Sequence, residues 1–205
     1  MKNKIFIISI PMLPEENLKA LQYRYPDGSL SVKTHFPGIA LLEKYAPGKS
    51  PVKVVTVRTE DDNQRTEACY RLFHEELGSL SGKLDTPLEI GTEIIVPHIE
   101  NEEKSRSLLR ELLNAYDKSA YVYIDLTYGT KLTAIELFSS LFFAETCRGC
   151  SIKNAAYGKY AFDSSEFGEL YDVTRLYHML RFLETSAQMD KASFADLVDQ
   201  MLMEE

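Results

Sequence analysis

The sequence predicts an α/β fold, a Rossmann-like doubly wound and mainly parallel sheet with a C-terminal helical extension. Three observations support this prediction. Runs of β-branched and aromatic residues alternate with helical patterns of about 10–18 residues, as in parallel βαβ units. The first run, Lys4–Ile10, is apolar without alternation, which is typical of a strand buried on both faces. The composition is that of a globular protein, with 205 residues of which 44% are hydrophobic and 26% charged.

The segment 1–50 is predicted to hold a strand, a hairpin and a short helix. The strand Lys4–Ile10 ends before Pro11 and Pro14, which lack the N–H group that a sheet requires. The tripeptide Pro26-Asp27-Gly28 is typical of a turn, so the residues on either side are expected to form a hairpin. The hairpin arms are predicted at Gln22–Tyr25 and Leu30–His35, and the helix at Gly38–Tyr45.

Strands and helices alternate regularly from residue 52 onwards. Val52–Arg58 is predicted as a second buried strand, and Thr59–Leu77 as a helix with Thr59 as its N-cap. The remaining predicted strands are Thr92–Pro97, Ala120–Asp125 and Ser151–Tyr157, and the remaining helices are Glu102–Tyr116 and Leu132–Thr146. After Gly168 the chain is expected to turn through Leu170–Val173 and to become mostly helical over Leu176–Met203. We assign residues 1–160 to a Rossmann-like ligand-binding domain and residues 161–205 to a helical extension packed on it.

Charge and cysteine content exclude several classes of protein. The formal net charge of −8 argues against sequence-independent binding of long DNA or RNA, which depends on many Lys and Arg contacts. A short oligonucleotide in a local pocket remains compatible with this charge. The three cysteines, Cys69, Cys147 and Cys150, follow no signal peptide, which favours a reduced, cytoplasmic protein. No segment reaches the ~18 apolar residues of a membrane span, so no membrane partner is expected.

The turn after the fourth strand is the strongest candidate site. Its sequence is Asp125-Leu-Thr-Tyr-Gly-Thr-Lys131. Gly129 lets the backbone approach a ligand, and the amides that begin the following helix favour an anion. Thr127 and Thr130 add hydroxyl donors, and Lys131 adds a positive charge for a phosphate. From these residues alone, a plain helix start with Thr130 as N-cap remains the alternative.

Ser9 ends the first strand and is expected beside this turn, provided that the first and fourth strands are neighbours in the sheet. Ligands of open α/β sheets bind beyond the carboxyl ends of the strands, where the strand order switches. The Ser9 hydroxyl is therefore a candidate partner for a phosphate or a ribose. The alternative is a small residue tolerated at a crowded strand end.

Several short motifs occur in a characteristic order along most of the chain. They are Ser9 after strand one, Tyr23-x-Tyr25-x-Asp27-Gly28, Phe36-Pro37, Ala40-Leu41, Asp125-x-Thr-x-Gly-Thr-Lys131, Ala156-Tyr157-Gly158 and Tyr171-Asp-Val-Thr174. This set resembles the CRISPR-associated Rossmann fold (CARF) family, in the branch whose fourth-strand turn reads Asp-x-Thr-His-Gly. Tyr128 stands where that branch often has His, and the Gly-Thr-Lys ending is similar to that of other CARF proteins. The sequence therefore mixes two patterns of the family.

The resemblance implies a homodimeric nucleotide-binding protein of antiviral defence. Its ligand would be cyclic oligoadenylate, the second messenger of type III CRISPR immunity, as a ring of four or six adenylates. The ring would lie across the two-fold axis, over the loops that follow strands one and four. The ligand-binding residues implied by the resemblance are Ser9, Ile10, Pro11, Thr127, Tyr128, Gly129, Thr130 and Lys131, with Tyr23 or Tyr25 stacking on adenine.

Some members of the family only sense the ring, and others also cut it. Residues 1–205 contain no Arg-x-x-x-x-His nuclease motif and no recognisable further domain, which favours a stand-alone ring nuclease. A non-catalytic sensor domain that controls a separate or truncated effector is the alternative. Cleavage is expected to need no metal and no cofactor, because the ribose 2′-hydroxyl can attack the adjacent phosphorus and leave a 2′,3′-cyclic phosphate. The expected catalytic residues are Lys131, which would stabilise the charge, and Ser9 and Thr127, which would orient the ribose.

Other motifs are interpreted as structural. Ala46-Pro-Gly-Lys-Ser50 is similar to the end of a P-loop, but it precedes a strand instead of following one. Cys147-Arg-Gly-Cys150 ends a helix and has no second pair that could complete a zinc site. His35 and His98 are expected at the surface. The apolar stripe of Leu176, Leu180 and Leu183 is expected to pack back on the sheet, with a dimer surface as the alternative. A generic nucleotide-binding α/β protein, unrelated to CRISPR, is a third functional hypothesis.

Overall fold

A computed structural model of the chain describes residues 2–60, 65–84, 86–96, 101–160 and 167–186. The strands are β1 (Lys4–Ile10), β2 (Leu21–Arg24), β3 (Leu30–Thr34), β4 (Val52–Thr59), β5 (Leu88–Val96), β6 (Tyr121–Asp125), β7 (Ser151–Tyr160) and β8 (Phe167–Asp172). The helices are α1 (Pro37–Tyr45), α2 (Arg65–Ser81), α3 (Glu102–Ala115), α4 (Lys131–Arg148) and α5 (Thr174–Ser186), with one short 3-10 turn at Glu15–Asn17. None of these helices has both the length and the apolar composition that crossing a bilayer requires.

The eight strands form one sheet in the order β3-β2-β8-β7-β6-β1-β4-β5. The five strands from β7 to β5 are parallel to one another. From β1 the chain moves outwards to β4 and β5, and α3 then brings it back to β6 on the other side of β1. The strand order therefore switches between β1 and β6, where open α/β sheets bind their ligands. This topology confirms the predicted doubly wound, mainly parallel α/β fold.

Helices cover both faces of the sheet, and each face has its own core. Phe6, Ile8 and Ile10 of β1 pack with α1 and α2 on one face. Ile5 and Ile7 pack with α3, α4 and α5 on the other. Because β1 is buried on both sides, its sequence is continuously apolar instead of alternating.

Two boundaries of the central elements differ from the sequence prediction. Thr59 is the last residue of β4 and α2 begins at Arg65, so Thr59 is not its N-cap. The third parallel strand begins earlier than predicted, at Leu88, and the predicted end at Pro97 lies outside the described residues, as does His98.

The C-terminal segment supplies a strand that the sequence analysis did not predict. Strand β8 pairs antiparallel with β7 and parallel with β2, so it joins the β2–β3 hairpin to the parallel strands. The helix that follows, α5, is described as far as Ser186, and the predicted remainder up to Met203 lies outside the described residues. Tyr177 of α5 reaches the sheet core, whereas Leu176 is 47% exposed. The expected packing of the Leu176 stripe on the sheet is therefore wrong at its first residue.

Candidate functional site

The turn between β6 and α4 ends in an exposed segment, Gly129–Lys131, which we call the corner. Gly129 has a φ of 97°, a left-handed conformation that glycine adopts without strain. The Thr130 hydroxyl accepts a hydrogen bond from the N–H of Thr133 at 3.1 Å and so caps α4. The amides of Lys131 and Leu132 have no acceptor within the helix, as at any helix start.

Lys131 is the charged group of the corner. Its side chain is exposed and forms no ion pair with any residue of the described ranges. The corner follows β6, the strand beside the switch of strand order. It thus combines a close backbone approach, a helix start and an uncommitted cation, a combination suited to a phosphate.

Ser9 fastens the end of β1 to this turn. Its hydroxyl donates to the carbonyl oxygen of Asp125 at 3.1 Å and accepts from the N–H of Tyr128 at 3.0 Å. The predicted proximity of Ser9 to the turn is confirmed, since β1 and β6 are adjacent. However, Ser9 is only 1% exposed and its single hydroxyl proton is already donated. In the described fold this hydroxyl therefore stabilises the turn, and its expected direct contact with a ribose stays a prediction.

Ile10 and Pro11, the next two predicted ligand contacts, are also buried. Ile10 belongs to the core between the sheet and helices α1 and α2. Their expected contact with the ligand stays a prediction.

The Thr127 hydroxyl is also occupied within the fold. It donates to Asp125 Oδ1 and accepts from the N–H of Gly158 at 2.8 Å. The expected role in orienting the ribose stays a prediction, as for Ser9. The Ser9 hydroxyl thus links the turn to β1, and the Thr127 hydroxyl links it to β7.

Asp125 is the positioning residue that the sequence analysis missed. Its carboxylate is fully buried, and Oδ1 accepts from both the N–H and the hydroxyl of Thr127. Burial raises the pKa of this carboxyl to about 6, against the opposing effect of hydrogen bonds from Thr127 and from the backbone of Gly38. The signal was present in the sequence, because Asp followed two residues later by Thr favours a turn in which the carboxylate caps the second N–H.

The aromatic residues expected to stack on adenine lie in the core of the described fold. The rings of Tyr23 and Tyr25 are 0% and 5% exposed, and the Tyr25 hydroxyl donates to the carbonyl oxygen of Ala40 at 2.8 Å. Both rings are buried because β2 is an interior strand between β3 and β8, so that alternate side chains enter the core beneath α1. The Tyr128 ring is likewise buried, and its hydroxyl reaches the carbonyl oxygen of His35.

A second polar cluster lies on the α1 side of the sheet. The ring nitrogen Nδ1 of His35 contacts Glu76 Oε1, and the Thr34 hydroxyl donates to Glu76 Oε2. His35 is half-buried rather than a free surface residue. The contact between Tyr128 and the His35 carbonyl links this cluster to the turn, and the imidazole takes no part in that contact.

The cysteine motif has the structure of a helix terminus. Gly149 ends α4 in the left-handed conformation, with a φ of 64°. All three cysteines are free, and Cys150 is buried with its thiol directed at the carbonyl oxygen of Asp117. Within the described ranges, no three His, Cys, Asp or Glu side chains are grouped closely enough to hold a metal ion.

Comparisons with known proteins add no family assignment. A scan against protein-family models finds no match to the chain, and a search of curated proteins finds no similar sequence. The resemblance to the CARF family therefore stays a prediction made from short motifs and their order.

Proposed function

We propose that this protein binds cyclic oligoadenylate at a homodimer interface and cleaves it without a metal ion. The observation that supports this proposal most directly is the corner, an exposed Gly129–Lys131 segment beside the switch of strand order. A ring of identical nucleotides suits a two-fold dimer, because each protomer offers the same corner to half of the ring. The local cation and helix start make phosphate binding compatible with a net charge of −8 for the whole chain.

In the proposed reaction, the 2′-oxygen of one ribose attacks the neighbouring phosphorus, and the bond from phosphorus to the 5′-oxygen breaks. The 2′-hydroxyl proton goes to solvent and the 5′-oxygen takes up a proton, which leaves a linear product with a 2′,3′-cyclic phosphate. Lys131 and the free amides of the corner stabilise the charge that develops on the phosphoryl oxygens. Ser9 and Thr127 hold the turn in shape and are positioning residues in this scheme.

A non-catalytic sensor is the second candidate, and a specific observation favours it. Two of the three expected catalytic residues, Ser9 and Thr127, have their hydroxyls already engaged in hydrogen bonds within the fold. Binding then depends on the corner alone, and in-line attack of the 2′-oxygen receives no help from these hydroxyls.

Incubation of the protein with cyclic tetra-adenylate and cyclic hexa-adenylate in EDTA, followed by mass spectrometry, separates the two candidates. Linear products support the ring nuclease, and binding without products supports the sensor. Failure of both rings to bind would overturn both candidates.

Lys131→Ala is expected to weaken ring binding about 10- to 100-fold, because a charged hydrogen bond to phosphate is lost. Calorimetric titration with both rings measures this change. Lys118→Ala is the matched control. Lys118 is an exposed lysine that precedes the start of β6, whereas the corner follows the end of this strand. Equal affinities of Lys131→Ala and the wild type would remove the corner from the site.

A further inference from the structure

Tyr157 is an exposed aromatic residue held next to the turn that leads to the corner. It is 46% exposed. On one side of it the carbonyl oxygen of Ala156 accepts from the N–H of Leu126 at 2.9 Å, and on the other the N–H of Gly158 donates to Thr127 Oγ1 at 2.8 Å. Tyr157 is therefore fixed about one strand spacing, ~5 Å, from residues 126 and 127.

The Tyr157 side chain lies on the face of the sheet that α4 covers. Neighbouring residues of a strand point to opposite faces, and a Cβ at Gly158 would lie 2.3 Å from Pro37 at the start of α1. Ala155, two residues before Tyr157, belongs to the core formed with α3, α4 and α5. The ring of Tyr157 and the first turn of α4, which contains Lys131, thus occupy the same face at the same end of the sheet.

The Tyr157 ring contributes little to the packing of the described fold. Tyr171 lies directly opposite Tyr157 in the β7–β8 register and is 41% exposed, so the two rings are within ordinary reach of each other. Even so, Tyr157 makes no aromatic contact with any residue that the structure describes. The Tyr171 hydroxyl instead donates to Glu169.

We propose that Tyr157 is the base-stacking residue of this site, in place of Tyr23 and Tyr25, which are buried. Its ring receives the adenine of the nucleotide whose phosphate is bound at the corner, and the ribose spans the interval between them. This inference rests on the proposed function. Stacking on an aromatic ring tolerates any base, so Tyr157 contributes affinity, and selection for adenine must come from other contacts.

The experiment compares Tyr157→Ala and Tyr157→Phe by calorimetric titration with cyclic tetra-adenylate and cyclic hexa-adenylate in metal-free buffer. Tyr157→Ala is expected to weaken binding by about tenfold to hundredfold, whereas Tyr157→Phe keeps the stacking surface and stays within about twofold of the wild type. Phe143→Ala is the control, because Phe143 is 43% exposed and lies in the C-terminal half of α4, away from the corner.

Salt dependence distinguishes stacking from charge. Tyr157→Ala should leave the slope of log affinity against log salt unchanged, while Lys131→Ala should reduce it. Sedimentation of each variant without ligand reports whether the exposed ring serves a contact between two copies of the chain instead.

The possible failures are distinguishable. If the wild type binds neither ring, the proposed function is overturned and this inference with it. If the wild type binds and Tyr157→Ala binds equally well, only the assignment of Tyr157 is overturned. A loss of affinity in Tyr157→Phe, or dissociation of a wild-type dimer by Tyr157→Ala, would also overturn it, in favour of a hydroxyl contact or a protein interface.

Discussion

At the scale of single residues, the hydroxyl groups that suggested ligand contacts are used to shape the turn. Ser9 and Thr127 each donate one hydrogen bond and accept another inside the fold, and both contact Asp125. A sequence shows which side chains carry hydroxyl groups, but it does not show which of them form hydrogen bonds within the fold. The corner residues Gly129 and Lys131 are exposed as the sequence analysis required, because they follow the last of these internal contacts.

Ser9→Ala is expected to lower the free energy of unfolding by about 1–3 kcal/mol. The substitution leaves the N–H of Tyr128 and the carbonyl oxygen of Asp125 without their Ser9 partner in a buried place. Urea unfolding measures the loss. Ser107→Ala, on the exposed face of α3, should stay within about 0.5 kcal/mol of the wild type. Equal stability of the two variants would contradict the role assigned to Ser9.

Asp125 makes stability depend on pH. Burial raises its pKa from 3.8 to about 6, so the folded protein holds this proton more tightly than the unfolded chain does. The resulting stabilisation is complete below the unfolded pKa and is lost as pH rises through about 6. Between pH 5 and 7.5 the wild type should lose about 1 kcal/mol of unfolding free energy relative to Asp125→Asn. Urea titrations of both proteins at the two pH values test this, and parallel changes would show that Asp125 does not titrate in this range.

At the scale of elements, the first turn of α1 lies against the ends of β1 and β6. A Cβ at Gly38 would be 2.4 Å from Ile8 Cγ2 and 3.1 Å from Asp125 Oδ2, so this approach depends on the absence of a side chain. The sequence predicted the helix and its end at Tyr45 correctly. It could not reveal the close contact, because nothing local to residues 37–45 specifies which strand lies beneath them.

Gly38→Ala is expected to destabilise the protein by about 1–3 kcal/mol, because the added methyl group overlaps β1. Gly78→Ala in α2 is the matched control, since a Cβ there would meet nothing within 4 Å. That change should be neutral or should stabilise the protein by up to about 1 kcal/mol. Urea unfolding of the pair measures both effects, and an equal response of the two variants would contradict the close packing.

At the scale of the whole molecule, hydrophobic patterning predicted the five parallel strands and the helices between them. These elements have long apolar runs or strong helical periodicity, and both patterns can be recognised within a short stretch of sequence. Strand β8 was missed because Phe167–Asp172 contains Gly168 and has exposed residues on one face. Its strand conformation comes from pairing with β7 and β2, which are distant in sequence. The exposure of Tyr157, on which its proposed role rests, likewise depends on how distant parts of the chain pack around β7.

The position of β8 between β2 and β7 has a consequence for the order in which the protein is completed during synthesis. Gln22 emerges from the ribosome early, yet its partner Phe167 is among the last residues of the sheet to be made. Until then both β2 and β7 present unpaired backbone along one edge, the kind of surface on which nascent chains associate wrongly. The first hairpin to be translated therefore completes its pairing in the sheet only after β8 has been made.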